Sequence, residues 1–184
     1  MRKYYTLRKF TILGAKLSIH WSVFVAILII SISAVRSPIY AVVAILSYFG
    51  ILFIHEFGHA LVARRLHLEV SSIKIGLVHG LCECEPSENE WEECLVSWGG
   101  VMAQFFVCFI IFIVVKFSNA SSFGYAGPIV AFLGYINLLV AFINLAPSPR
   151  LDGYKAWKIF PLLLHRLRAK KVTNEIVKKL KNVR

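Results

Sequence analysis

Charged residues are scarce in this chain of 184 amino acids, where they make up 17% of the sequence and only ten are acidic. Hydrophobic residues make up 58%, and the mean hydropathy is +0.67. Because soluble domains carry about 25% charged residues, this composition excludes a large aqueous fold. The apolar content also excludes intrinsic disorder. The composition therefore indicates an integral membrane protein.

The few acids are outnumbered by 21 basic residues, which gives a formal net charge of +11. Such a charge can indicate nucleic-acid binding. Here the basic residues concentrate near the two termini, and no nucleic-acid motif accompanies them. Because Lys and Arg near transmembrane ends stay on the cytoplasmic side, both termini are expected to be cytoplasmic. We expect a multi-pass protein of a prokaryotic cytoplasmic membrane, with no nucleic-acid partner.

Four apolar runs predict helices that cross a hydrocarbon core of about 30 Å. Four spans also place both termini on one side. The first half of the polar segment 66–94, residues 68–85, has β-branched residues and an alternating pattern typical of one or two short strands. The predicted fold class is an all-α polytopic membrane protein with about four transmembrane helices and a short β-strand-containing cytoplasmic loop between helices two and three. The predicted spans are residues 19–35, 38–63, 95–117 and 127–146.

Cysteine is also infrequent, with four residues in the chain. Cys82 and Cys84 lie in the predicted cytoplasmic loop, where reduced thiols are expected. With His79 they form a candidate second metal site. The paired CxxC spacing of many zinc sites is missing, so the sequence leaves open whether this cluster binds a metal.

Two of the six histidines belong to the run His55-Glu56-Phe57-Gly58-His59. On a helix, residues four apart share one face, so both imidazoles can bind one zinc ion. Glu56 directly follows the first histidine, and a carboxylate there can take the proton of a zinc-bound water, whose pKa the metal lowers to about 7. The pattern predicts a catalytic site with one Zn2+ per chain near the end of the second span.

A catalytic zinc ion needs a third protein ligand and an open coordination position. The short extension that would supply a third histidine is absent, because Val62 and Arg65 occupy its positions. Glu83 and Glu85 lie at a suitable chain distance in an acidic loop. Asp152 stands alone among apolar and basic residues after the fourth span, which ends on the same side as the second. We therefore favour Asp152 and keep the loop glutamates as alternatives.

These motifs resemble the site-2 protease family of intramembrane metalloproteases, in the branch that includes the sporulation factor proteases. HEFGH at 55–59 matches the family's HExGH, and NLAPSPRLDG at 144–153 matches its NxxPxxxLDG. Residues 19–22 and 98–104 are similar to the family's elements at the start of the first and third spans. The similarity covers roughly residues 14–165.

The resemblance implies a zinc-dependent intramembrane endopeptidase, a hydrolase that cuts a peptide bond in or near the transmembrane segment of a membrane-bound substrate. Glu56 would activate the zinc-bound water. The loop of about residues 69–85 would pair with an unwound substrate helix. The implied site residues are the metal ligands His55, His59 and Asp152, the catalytic Glu56 and the substrate-binding Asn144.

The resemblance also implies a domain division and partners. Residues 1–168 would form the intramembrane metalloprotease domain, and residues 169–184 a basic amphipathic tail suited to an anionic membrane surface. The expected partners are a membrane-protein or membrane-anchored substrate and the lipid bilayer. A regulatory membrane partner and a homo-oligomer both stay open.

Two other classes of protein share some of these features. One is a catalytically inactive metal-binding membrane scaffold or adaptor, which would have no need of Glu56. The other is a divalent-metal transporter, which would be expected to carry broken spans or ligands on several helices near the midplane.

Overall fold

The structure is a computed structural model that describes residues 4–77, 79–117 and 126–181. It is predominantly helical, with one small sheet. In chain order the elements are β1 (Tyr4–Ile12), β2 (Ala15–His20), α1 (Ser22–Ser33), α2 (Pro38–Arg65), β3 (Val70–Ile75), β4 (Gly80–Cys84), α3 (Glu90–Phe117), α4 (Ala126–Ile129), a π-helical segment (Val130–Ile136), α5 (Asn137–Asn144), α6 (Gly153–Ala156) and α7 (Ile159–Lys181).

Three helices in the described ranges are long and apolar enough to cross a membrane: α2, α3 and the continuous helix Gly127–Asn144. The protein is thus an integral membrane protein, as its composition predicts. The first predicted span is a shorter apolar helix, α1, of 12 residues. At 1.5 Å per residue it is roughly 18 Å long, against a hydrocarbon core of about 30 Å. The count of four spans therefore stays a prediction.

The sheet has the order β1-β2-β3-β4, with β4 at one edge. β3 and β4 form an antiparallel hairpin between α2 and α3, which confirms the strands predicted for segment 66–94. β2 pairs in parallel with β3, and β1 pairs antiparallel with β2.

The two N-terminal strands depart from the all-α prediction. They occupy the basic N-terminal residues, for which the sequence analysis predicted no strand, and the start of the first predicted span. Leu13 and Gly14 have φ angles of 52° and 77°, and they lie between the paired residues Ile12 and Ala15. Positive φ at both central residues is the requirement of a tight hairpin turn. This turn and the Tyr, Thr, Phe and Ile content of β1 favour strands over an extended leader.

The sheet packs on the C-terminal part of α2. The buried residues at this contact form a hydrophobic cluster of Ala15, Ala60, Ala63, Val70 and Ile73. Strand β2 leads into α1, and strand β3 follows α2. Because β2 and β3 pair, the start of α1 and the end of α2 lie at the same end of the molecule. The helical hairpin of α1 and α2 therefore begins and ends beside the sheet.

Helix α3 packs closely against α2 through glycines. A Cβ atom added to Gly58 would lie 2.7 Å from the Cβ of Ala103 and 2.9 Å from the Cα of Gly100. Neither distance leaves room for a side chain, so the two backbones are in near contact. Small residues permit such an approach between membrane helices. It brings the histidine-bearing face of α2 against α3.

Helix α7 continues through the predicted boundary between residues 168 and 169. The domain division accordingly stays a prediction. Of the predicted tail, residues 182–184 lie outside the described residues.

Candidate metal centre

His55 and His59 lie one turn apart on α2, and their Nε2 atoms are 3.1 Å apart. The Oδ2 atom of Asp152 lies 2.9 Å from Nε2 of His55 and 3.3 Å from Nε2 of His59. These three ligand atoms all lie within 4.8 Å of one another. The structure thus joins the HExxH helix to the aspartate that follows α5, as the sequence analysis expects.

The three groups suit a transition-metal ion. Both histidines are buried, while the Asp152 side chain is 24% exposed. Burial alone would raise the pKa of Asp152, but hydrogen bonds and charge attraction from His55 and His59 hold it well below its usual range. Its carboxylate is therefore anionic at neutral pH. Two imidazoles and one carboxylate are a protein ligand set of catalytic zinc sites, which keep a fourth position open.

The second nitrogen of each imidazole is also hydrogen-bonded. Nδ1 of His59 lies 2.7 Å from the carbonyl oxygen of Val96, and Nδ1 of His55 lies 2.9 Å from Oε1 of Gln104. Both acceptors belong to α3. Metal-binding histidines commonly donate their other N–H in this way, which fixes the ring and its tautomer.

Gly100 of α3 makes room for the two rings. A Cβ atom at this position would lie 2.5 Å from Nε2 of His59 and 2.8 Å from Cε1 of His55. Contacts this short do not occur in folded proteins, so a side chain at Gly100 would displace both imidazoles.

Asp152 is held by a short turn between α5 and α6. The indole Nε1 of Trp157 donates to the carbonyl oxygen of Leu145, at 2.6 Å. The indole Nε1 of Trp98 donates to the carbonyl oxygen of Ala156, at 3.0 Å. The first bond closes the turn, and the second ties α6 to α3. The position of the aspartate is therefore set by α3 as well as by its own turn.

Glu56 and Asn144 are close to the three ligand atoms. The Glu56 side chain is 4% exposed and faces β4, because a Cβ atom added to Gly80 would lie 2.5 Å from its Oε1 atom. Nδ2 of Asn144, the last residue of α5, lies 3.5 Å from Nε2 of His55. The structure thus brings together all five residues that the sequence analysis named.

Comparisons with known proteins agree with this geometry. A model of peptidase family M50 matches residues 43–122. A zinc metalloprotease of Methanocaldococcus jannaschii is 25% identical over 150 residues, which is 81% of this chain and 43% of that protein. A solved structure, the site-2 protease from Methanocaldococcus jannaschii, superposes with a TM-score of 0.68 and 23% identity, and the match covers 96% of this chain and 81% of that one.

The chain is similar to peptidase family M50 over residues 43–122 and shares the fold of the site-2 protease. A second curated relative, from Synechocystis, is 36% identical over 100 residues, or 54% of this chain and 26% of its own length. The chain thus spans less than half the length of either curated relative. The family model ends before Asp152 and Asn144, so their placement in this chain rests on the structure.

The alternative third ligands lie away from the three converging side chains. Glu83 accepts hydrogen bonds from Ser72, at 2.6 Å, and from Lys74. The bond with Lys74 is the main reason that the pKa of Glu83 is lowered. Its carboxylate is therefore occupied within the sheet. Among the described residues, His55, His59 and Asp152 form the one group of three metal-binding side chains, so Glu85 and the His79, Cys82 and Cys84 cluster do not form a further group.

The sequence analysis placed Trp98 and Gln104 in the family-like element 98–104 but gave neither a role at the metal centre, and it gave no role to Gly80. A lone amide in an otherwise apolar span was a usable signal for Gln104, because polar groups in membrane helices commonly face a functional site. The closeness of Gly80 to Glu56 depends on how the β3–β4 hairpin folds back on α2. No local sequence pattern encodes that contact.

Proposed function

We propose that this chain is a zinc-dependent intramembrane endopeptidase that cuts a membrane-protein or membrane-anchored substrate. The observation that carries the proposal is the buried carboxylate of Glu56, which follows His55 on α2 and interacts electrostatically with all three converging ligands. A metal site that only joined helices would have no need of this second carboxylate beside the ligands.

In this proposal His55, His59 and Asp152 hold one zinc ion. When bound, zinc acts as a Lewis acid that polarises the scissile carbonyl and lowers the pKa of water. The name of the Methanocaldococcus relative supports zinc over other transition metals. The ligand set agrees, because two imidazoles and a carboxylate suit zinc.

The protein's own residues would then position the substrate and move a proton. Glu56 accepts the proton of the attacking water and passes it to the leaving amide nitrogen, as a general base and then a general acid. Asn144 donates its amide hydrogen to the substrate backbone, the role that its motif has in the family. Its position 3.5 Å from His55 supports this assignment.

The substrate would approach along β4. This strand lies at the edge of the sheet, and its Gly80 lies against Glu56. A peptide freed from its helix could add a strand to such an edge through backbone hydrogen bonds. Cleavage would then occur near the cytoplasmic side, with both termini on that side.

The alternative, an inactive metal-binding scaffold, is separated from the protease by one substitution. Glu56→Gln keeps the side-chain volume and both histidines, so zinc content and fold should persist while cleavage falls by about 10²–10⁴-fold. The measurement compares fragments of membrane proteins in cells that express the wild-type chain or the variant, together with zinc per purified chain.

Glu88→Gln is the matched control, because it makes the same isosteric change at an exposed loop position. It should leave cleavage and zinc content unchanged. Wild-type cleavage by a zinc-loaded Glu56→Gln chain would contradict the protease mechanism and favour the scaffold.

A further inference from the structure

We propose that Gln104 is a positioning residue for the metal centre, which fixes the tautomer and orientation of His55 from α3. The inference rests on the proposed role of His55 as a zinc ligand, but it does not require that the protein cleaves a substrate.

The orientation of the Gln104 amide sets the polarity of its hydrogen bond with His55. Oε1 of Gln104 is an acceptor and lies 2.9 Å from Nδ1 of His55, so Nδ1 must carry the hydrogen. A neutral imidazole has one N–H, and its other nitrogen then offers a lone pair. That nitrogen is Nε2, the atom that lies 2.9 Å from Oδ2 of Asp152. Gln104 therefore selects the tautomer that a metal ligand needs.

His55 depends on a side chain in a way that His59 does not. The partner of His59 is the backbone carbonyl of Val96, which every residue type supplies. The partner of His55 is an amide that most residue types lack. A single substitution can therefore remove the support of one ligand and leave the other intact.

The position of Gln104 is itself fixed by a second amide. Nδ2 of Asn137 donates to the backbone carbonyl of Gln104, at 2.8 Å, and both residues are fully buried. Asn137 directly follows the seven-residue π-helical segment Val130–Ile136 of the membrane helix Gly127–Asn144. This bond ties the turn of α3 that carries Gln104 to the helix that ends at Asn144.

Packing alone does not explain a glutamine here. Amides cost free energy when they are moved into an apolar environment unless they are hydrogen-bonded. Methionine has nearly the same length and would fill the space without a polar group. Only the oxygen of the Gln104 amide is hydrogen-bonded among the described residues, while its Nε2 atom is buried without a partner, and that oxygen is directed at a metal ligand.

The test uses the full-length chain in detergent with zinc or Co2+ as the probe, and it measures metal affinity by chelator competition. Gln104→Met should weaken zinc binding by about 10–100-fold, the usual effect of removing such a partner. Gln104→Glu keeps the acceptor and should bind zinc at least as tightly as the wild-type chain. The visible absorption bands of bound Co2+ should shift in Gln104→Met, because the geometry of a ligand has changed.

Met102→Leu is the control, since Met102 lies on the exposed side of the same helix. It should leave affinity and spectrum unchanged. Wild-type affinity and spectrum in Gln104→Met would overturn the inference. If that variant does not fold, Gln104→Glu decides, because a tenfold loss of affinity in it would also overturn the inference. A wild-type chain that binds no zinc would refute the metal site of the proposed function, whereas one that binds zinc but cuts nothing would refute only the protease.

Discussion

Asp152 is the residue through which the end of α5 reaches the two histidines of α2. Its Oδ2 atom lies within 3.3 Å of both Nε2 atoms, and no other acidic side chain among the described residues forms a group with them. Because its carboxylate is anionic at neutral pH, it can complete a zinc site without first losing a proton. Substitution of Asp152 is therefore the decisive test of the proposed ligand set.

We predict that Asp152→Ala lowers bound zinc well below one per chain and reduces cleavage by on the order of 10³-fold, since the metal supplies several kcal/mol of transition-state stabilisation. The measurements are metal content of the purified chain and cleavage of a co-expressed substrate. Glu83→Ala is the comparison, because Glu83 bonds Lys74 and Ser72 within the sheet. Full zinc in the Asp152 variant with depleted zinc in the Glu83 variant would show that the third ligand is misassigned.

A substitution at Gly80 can test the position of the general base Glu56 without changing a metal ligand. A Cβ atom here would lie 2.5 Å from Oε1 and 2.6 Å from Cδ of Glu56, so Gly80→Ala must push the carboxylate aside. We predict that cleavage falls by about 10²-fold or more while zinc content is unchanged, because a misplaced general base loses most of its effect. Zinc content and cleavage measured on the same preparations check this.

Leu81→Ala is the control for that substitution, since Leu81 is the next residue of β4 and its side chain is exposed. It removes apolar volume without approaching Glu56. Equal losses of cleavage in both variants would mean that the strand as a whole, and not the space beside Glu56, is what matters.

At the scale of elements, helices were easier to predict than the sheet. α2 and α3 extend over long apolar runs, and their ends in the structure lie within five residues of the predicted spans. β1 and β2 were missed, because their pairing with β3 crosses the whole α1–α2 hairpin. A contact between residues so far apart leaves no trace in local composition, and the basic residues of β1 suggested a membrane anchor.

Local patterns predicted some residues of the metal centre, whereas others reach it only through tertiary packing. His55, Glu56 and His59 follow from the periodicity of one helix, and Asp152 follows from its isolation among apolar and basic residues. Gln104 and Gly80 come from elements that reach the site only through tertiary packing. Their contribution could be seen only once α3 and β4 were placed against α2.

The close packing of α2 on α3 predicts that a larger residue at Gly58 destabilises the fold. Gly58→Ala would place a Cβ atom 2.7 Å from the Cβ of Ala103, so the helices must move apart. Overpacking of this kind costs about 1–3 kcal/mol of folding free energy, and the thermal unfolding temperature in detergent should fall. Because Val96 and Gln104 of α3 support the imidazoles, zinc affinity should fall with it.

Gly50→Ala provides a control on the same helix. Its added Cβ atom would meet only Leu133, at 3.9 Å, which is an ordinary contact. This variant should unfold at the wild-type temperature or above it. If Gly58→Ala did the same, the close approach of α2 and α3 would not be a source of stability.

At the scale of the whole molecule, polar elements gather at one end. The sheet lies beside the end of α2, and Lys155 of α6 pairs with Glu93 at the start of α3, at 3.2 Å. Arg166 of α7 lies 4.2 Å from the ring of Trp91, also at the start of α3. The metal centre, the sheet and the two last helices therefore share one side. The connection between α1 and α2 lies at the far end of those helices.

This polarity predicts which positions face the same compartment. Cysteines placed at Tyr5 and at Glu88 should both be shielded from a membrane-impermeant thiol reagent added to intact cells, because the basic residues near the termini predict that this side is cytoplasmic. A cysteine at Ser37, in the connection between α1 and α2, should be labelled from outside. The experiment uses a chain whose four native cysteines are replaced, and labelling after permeabilisation shows that each new thiol is reactive.

The Ser37 position also decides whether α1 crosses the membrane. α1 is roughly 18 Å long, so it crosses a core of about 30 Å only if flanking residues or local thinning make up the difference. Labelling of Ser37→Cys from outside requires that crossing and supports four spans with both termini inside. Protection of Ser37→Cys in intact cells, with labelling only after permeabilisation, would instead make the α1–α2 connection part of the cytoplasmic side. α2 could then not cross from that position, and the depth assigned to His55 and His59 would be wrong.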